Sequence, residues 1–256
     1  MPKNEKIQVP SRHLGLTLMV KRKMEALIDE VADMVQAHVD VDKLLEITSA
    51  PFAMPQECVK RTDRRMKIAV AYDAAFNFVY RENIDRLKEW GEVSFFTPLK
   101  DKHLPETDWV YLPGGYPELF ATRLQKNKQL MEELKSYAES GGKIFAECGG
   151  MMFLTQSIVT DKGKEYPMCG VLPFKSTMKG ARLHLGYRSM EMHGENWKGH
   201  EFHYSELENP GDLPSIAKLR SAKGKEVDTP VYRYKNVIAG YTHWYWGEKD
   251  IFKLWD

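Results

Sequence analysis

A doubly wound α/β fold, mostly parallel in its sheet with antiparallel strands at the C-terminal edge, is predicted from three observations. From Met66 onward, strand-like and helix-like segments alternate, the order that produces parallel strands joined by right-handed crossovers. The strand segments are continuous apolar runs, as in MKIAVAYD at 66–73, which suits strands covered on both faces. Beyond residue 165 the texture changes to short alternating stretches rich in Tyr, His and Gly, the pattern of antiparallel pairing.

The elements follow in chain order. Residues 1–16 are mixed in polarity, with a short apolar patch at Leu14 to Leu16. Between Lys21 and His38, Met24, Leu27, Ile28, Val31, Met34 and Val35 recur at three- and four-residue intervals, the spacing of an amphipathic helix. A second short helix runs from Val41 to Ile47, with Asp40 or Asp42 available to cap its first turn. Pro51, Pro55 and the charged stretch to Arg65 mark a linker over 51–65. A first strand then starts at Met66, and a helix from Glu82 to Trp90 is closed by Gly91. Val93–Phe96, WVYLPGG at 109–115 and KIFAE at 143–147 are the next strands. An amphipathic helix from about Lys126 to Ser140 lies between the last two and stops at Gly141-Gly142.

Composition excludes several classes. With 37 Lys+Arg against 36 Asp+Glu, the formal charge is +1, so nothing advertises nucleic acid or an anionic membrane. Three cysteines, Cys58, Cys148 and Cys169, form no C-x-x-C pair, which argues against a zinc ribbon or a disulfide scaffold. No metal site is expected. No apolar run approaches the ~20 residues of a membrane span, and no signal-peptide core is present. A cytoplasmic location is the default.

The segment richest in chemistry is KIFAECGGMMFLTQSI, 143–158. A strand runs into Cys148, two glycines follow, and an apolar helix begins: the geometry of a nucleophile elbow at the C-terminal edge of a parallel sheet. The helix N-terminus favours negative charge, so it is expected to lower the thiol pKa. Gly114 and Gly115, after the preceding strand, can present backbone N–H groups to an oxyanion beside the amide of Gly149. A thiolate also needs a base. Among eight histidines, His243 and His203 both stand in strand-like surroundings, and residue types alone do not separate them.

Seven blocks carry a resemblance: VPSRHLGL (9–16), IAVAYDAAFNFVYRENIDRL (68–87), FFTPLKD (95–101), LPGGYPELFA (112–121), FAECGGMMFL (145–154), GHEFHYSE (199–206) and GYTHWYWG (240–247). Together they resemble the C-terminal part of the corrin amidases, the cobyrinic acid a,c-diamide synthase family of vitamin B12 biosynthesis. The resemblance implies a flavodoxin-like class I glutamine amidotransferase fold over 66–256. It implies that Cys148 attacks the glutamine amide to form a glutamyl thioester, and that His243 shuttles the proton. Class I relatives usually carry Glu two residues after that histidine; Tyr245 stands there, so a Cys–His dyad is implied, with Glu248 a weak substitute. Asp73, Asn77 and Phe78 are candidate contacts for the corrin or a partner domain, with turn and core roles for Asn77 and Phe78 equally open. His203 and Tyr204, in the His200–Tyr204 block, are candidate substrate-side residues; a plain alternating strand would look the same.

The family's N-terminal domain binds ATP and Mg²⁺ and activates a corrin carboxylate. Its G-x-x-x-x-G-K-[ST] loop has no match here: Gly15, Gly91 and Gly163 lack the spacing and the lysine. Residues 1–50 are therefore expected to be a remnant of that domain, with apolar faces at Leu27, Val31 and Met34 in need of a partner. Expected partners are glutamine, the corrin substrate cobyrinate, an ATP-binding domain or separate synthetase subunit, and a second copy of the chain. The competing expectation is a catalytically idle module of the same fold that docks a corrin or a synthetase.

Overall fold

The computed structural model describes residues 7, 21–51, 65–180, 182–208, 210–211 and 213–256. The chain divides into two compact units, Met1–Cys58 and Val59–Asp256. In the first, α1 (Lys21–His38) and α2 (Val41–Thr48) fall where the apolar spacing puts them, and Asp40 caps α2 by accepting from the Lys43 amide at 2.9 Å. Their apolar side chains stay largely uncovered: Met24, Ile28, Val31, Leu44, Leu45 and Ile47 are exposed, and α2 buries none. The expected linker and the VPSRHLGL block lie almost wholly outside the described residues.

The second unit opens with β1 (Met66–Ala71), α3 (Arg81–Trp90), β2 (Gly91–Phe96), β3 (Trp109–Leu112), α4 (Pro117–Leu124), α5 (Lys128–Glu139), β4 (Lys143–Glu147) and α6 (Gly149–Leu154). Short strands follow: β5 (Ser157–Val159), β6 (Glu165–Pro167), β7 (Lys175–Thr177), β8 (His184–Met192), β9 (Glu195–His203), β10 (Glu206–Glu208), β11 (Leu219–Ser221), β12 (Glu226–Val227), β13 (Val231–Tyr234), β14 (Val237–Gly240) and β15 (His243–Tyr245). The main sheet has the order β2-β1-β3-β4-β14-β13; only the terminal β13–β14 pair is antiparallel. This is the doubly wound order with an antiparallel edge that the alternation predicts. The remaining strands form two further sheets, β10-β7-β5-β6, antiparallel except for the parallel β5–β7 pair, and the antiparallel β12-β11-β8-β9-β15.

Both faces of the main sheet are buried, which explains the unbroken apolar runs. Ala69, Ala71, Val110, Leu112, Ile144 and Ala146 pack with Ala121, Leu124, Leu130 and Leu134 on one side. Ile68, Val70, Trp109, Tyr111 and Phe145 pack with Ile84, Leu87, Trp90, Trp246 and Phe252 on the other. Each buried Val, Leu, Ile or Phe among them contributes roughly 1.5–3 kcal/mol.

Two local expectations change. Gly91 ends α3, yet its φ is −179°, extended rather than left-handed. Glycine is needed there because a Cβ would sit 2.0 Å from the Met66 carbonyl oxygen where β2 begins. Helix α4 was not legible as a helix: the sequence reads as a turn, but Pro117 occupies the first helical turn, where its missing N–H costs nothing.

Candidate active site

The C-terminal ends of β3, β4 and β14 meet at one point. Cys148 follows β4 directly, and its amide donates to the Gly240 carbonyl at the end of β14 at 2.8 Å. Its φ of 47° and ψ of −109° lie outside the regions an L-residue favours, a strain of roughly 1–3 kcal/mol. The elbow is held by contact with the β3 loop. A Cβ on Gly150 would lie 2.0 Å from the Leu112 oxygen, and one on Gly149 would lie 2.7 Å from Pro117 Cδ and 3.0 Å from Gly115 N. Gly149 thus packs directly against the Gly115 backbone.

His243 reaches the same loop from the third sheet. A Cβ on Gly114 would lie 2.2 Å from His243 Cε1, so the imidazole rests directly on that glycine. Three ties fix its strand. In the β15–β9 ladder His243 stands opposite His200. Glu147 accepts from the Trp244 amide at 2.8 Å and from the Tyr111 hydroxyl at 2.6 Å. Buried Asn83 on α3 donates to the Trp244 carbonyl at 2.8 Å and accepts from the Trp246 amide at 2.9 Å. Cys148 and His243 therefore share one wall, the Leu112–Gly115 loop.

The two candidate histidines differ in their surroundings. His203 uses both ring nitrogens, Nδ1 toward the Ser205 carbonyl and Nε2 toward Glu201, each at 2.8 Å. Its ring is stacked between Tyr241 at 3.6 Å and His184 at 4.7 Å. Buried Glu201 also receives Arg188 and the Thr229 hydroxyl. Burial alone would raise the Glu201 pKa, but His203, Arg188 and Thr229 together hold it below the usual range. His243, in contrast, has no hydrogen-bond partner at Nδ1 among the described residues.

The electrostatics contradict the expected thiolate. Burial, then Glu118, pushes the Cys148 thiol up to about 12, with Glu147 and Glu201 acting in the same sense and the Gly149 amide opposing. The six-residue α6 supplies that one amide, too little to offset desolvation and three carboxylates. Burial also lowers the His243 pKa to about 3, helped by His200 and His203. Both groups are therefore neutral at pH 7 in the free protein. Burial raises Glu147 to about 8 against its two hydrogen bonds, and raises Glu118 to about 7.

The remaining expected residues divide. Asp73 spends both carboxylate oxygens on backbone amides, Ala75 at 2.8 Å and Leu99 at 2.9 Å, and so ties its own loop. Asn77 is exposed, while Phe78 is no core residue: it is 38% exposed and its ring lies 4.5 Å from His243. Tyr204 is half-buried, its ring 6.2 Å from Phe202. Tyr245 and Glu248 are both exposed. Sequence reasoning missed Glu118 and Glu147. A Glu in a helix's first turn and a Glu before a turn are ordinary in one sequence; only the fold shows that the charge of each acts on the buried Cys148. The described residues also include His184, Glu201 and His203 with ligand atoms within 4.8 Å of one another. His203 Nε2 already bonds to Glu201, while His184 Nε2 bonds to Glu206 at 2.8 Å, outside the cluster; the His184 and His203 rings are stacked nearly parallel, 4° apart.

Among the described residues, no helix is long and apolar enough to cross a membrane. A family profile described as a CobB/CobQ-like glutamine amidotransferase domain matches residues 67–251. A cobyrinate a,c-diamide synthase from Caldanaerobacter subterraneus is 34% identical over 95% of this chain and 56% of its own length. The protein of the same name from Archaeoglobus fulgidus is 39% identical over 93% of this chain and 55% of its own. The chain thus spans about half the length of the curated relatives it matches. A solved structure described as a glutamine amidotransferase aligns with a TM-score of 0.48 and 20% identity, covering 69% of this chain and 89% of that one.

Proposed function

The chain belongs to the CobB/CobQ-like glutamine amidotransferase family, and on that footing we propose that it releases ammonia from L-glutamine at Cys148. The observation that carries the reading is the shared wall: a strained elbow cysteine, and an imidazole whose Nδ1 has no hydrogen-bond partner among the described residues, on one glycine loop. Cys148 Sγ adds to the side-chain amide carbon while the thiol proton passes to His243. The amides of Gly115 and Gly149 receive the oxyanion. Collapse of the adduct breaks the C–N bond, and the proton returns from His243 to the departing ammonia. Water then cleaves the thioester, giving glutamate and the free thiol.

A resting neutral pair suits this order. The buried thiol keeps its proton until an amide is in place, which limits side reactions of an idle thiolate. Replacing Glu118 by Gln removes the largest like-charge contribution at Cys148. Because Glu118 ionises near pH 7, alkylation of Cys148 by iodoacetamide is expected to run faster than wild type above pH 7. The two rates converge below it. Equal rates at pH 9 would remove Glu118 from the account.

The ammonia is proposed to serve amidation of the a- and c-carboxylates of cobyrinate, the reaction named by the matched relatives. ATP and Mg²⁺ belong to that step. Neither described glycine weighed against the nucleotide loop makes a phosphate cradle: Gly91 opens a strand and Gly163 lies in the β5–β6 turn, so neither leads into a helix N-terminus. We therefore assign ATP, Mg²⁺ and the carboxylate chemistry to a synthetase half, attached or separate. Residues 1–50 are assigned to its tail, supported by relatives that match 95% of this chain while the amidotransferase profile starts at 67.

The test compares two histidines. His243→Asn is expected to lower glutamate release from L-glutamine by at least ~10²-fold relative to wild type. His203→Asn, at a ring whose nitrogens are both bonded to protein, is expected to act mainly on stability. The reverse ranking would assign the base to His203.

A further inference from the structure

We infer that aromatic faces, rather than a carboxylate, hold the His243 imidazole in its working orientation, with Phe78 and His200 as positioning residues and Tyr80 fixing His200. This rests on the reading of His243 as the proton carrier.

A catalytic imidazole is ordinarily oriented by a hydrogen bond at its second nitrogen. His243 Nδ1 has none among the described residues. The carboxylates that act on this region are committed elsewhere: Glu201 to Arg188, His203 and Thr229, and Glu147 to Tyr111 and Trp244. Glu248 is exposed.

Rings take the place of that bond. Phe78 lies 4.5 Å from the His243 ring at 59°, and His200 lies 4.9 Å away, nearly parallel at 19°. Gly114 meets the ring's Cε1 edge. The backbone supports each contact. Strand register puts His200 opposite His243, where cross-strand side chains meet. The Phe78 amide donates to the Gly114 carbonyl at 3.0 Å, so Phe78 is pinned to the same glycine that carries His243. Tyr80 and His200 Nδ1 share a hydrogen bond of 2.6 Å, and Tyr80 meets Tyr245 edge-on at 5.7 Å. A continuous aromatic column thus runs from Tyr245 through Tyr80 and His200 to His243. It also accounts for Phe78, an aromatic left 38% exposed, whose use is to cover one face of the imidazole.

The test is made on the full chain with His200→Ala, His200→Phe and Phe78→Ala. In glutamine hydrolysis, His200→Ala and Phe78→Ala are expected to lower kcat on the order of 10²-fold, the cost of a misplaced catalytic group, with KM little changed. His200→Phe keeps a flat ring and is expected to recover most of the rate. By NMR, the His243 Cε1–H resonance, displaced by neighbouring ring currents, is expected to move toward its unstacked position in the two alanine variants. Unchanged kcat and an unmoved resonance in both alanine variants would overturn the proposal. So would a His200→Phe variant as slow as His200→Ala, which would give His200 a chemical role instead. The NMR arm reads the confinement of the ring whatever the substrate, so failure of the glutamine reading would appear separately, as a wild type without hydrolysis.

Discussion

Cys148→Ala is expected to lose glutamine hydrolysis by a factor on the order of 10⁴–10⁶, the scale on which removing a nucleophile acts. The fold is expected to survive. The substitution removes one sulfur from a buried site, and the features that build the elbow remain: the Cys148 amide still bonds to Gly240, and Gly149 and Gly150 still fit against Leu112 and Gly115. Circular dichroism and denaturant unfolding should match wild type closely. The backbone strain at φ 47° also remains, because alanine has a Cβ as cysteine does. A folded Cys148→Ala protein that hydrolyses glutamine at the wild-type rate would end the thioester mechanism.

The second large effect is structural. Gly150→Ala would place a Cβ 2.0 Å from the Leu112 oxygen and 2.6 Å from its carbonyl carbon. Both are backbone atoms of β3, which is paired to β4 from Trp109 to Leu112, so relief means breaking the centre of the sheet. The expected loss is ~3 kcal/mol or more by chemical denaturation, at the upper end for overpacked sites. Gly163→Ala is the comparison: its φ is +76°, but nothing lies within 4 Å of the added carbon. Strain alone should cost it roughly 1 kcal/mol. Equal losses at the two sites would mean that contact with β3 does not constrain the elbow.

Much of this molecule is legible in the sequence where the signal is local. The strand runs at 66–71, 109–112 and 143–147 announce a sheet buried on both faces, and Glu-Cys-Gly-Gly announces the elbow. What is not legible arises between distant segments. The choice between His243 and His203 turns on hydrogen bonds from Ser205 and Glu201 and on the ladder pairing His243 with His200. The thiol pKa is misjudged for the same reason: a helix N-terminus is a local feature, whereas the burial and the Glu118 and Glu201 charges that outweigh it come from other elements. Phe78 follows suit: in the sequence its core and contact roles stand equally open, and only the fold sets its ring against an imidazole.

Covalent labelling by a glutamine-analogue electrophile, followed by intact-mass spectrometry and peptide mapping, tests the central claim most directly. Cys58 and Cys169 serve as internal controls; Cys169 is buried and its thiol is pushed up by desolvation. The account predicts one adduct, at Cys148, prevented by excess L-glutamine and absent in Cys148→Ala. Indiscriminate labelling of all three thiols, or none at Cys148, would contradict a glutamine site built on this elbow.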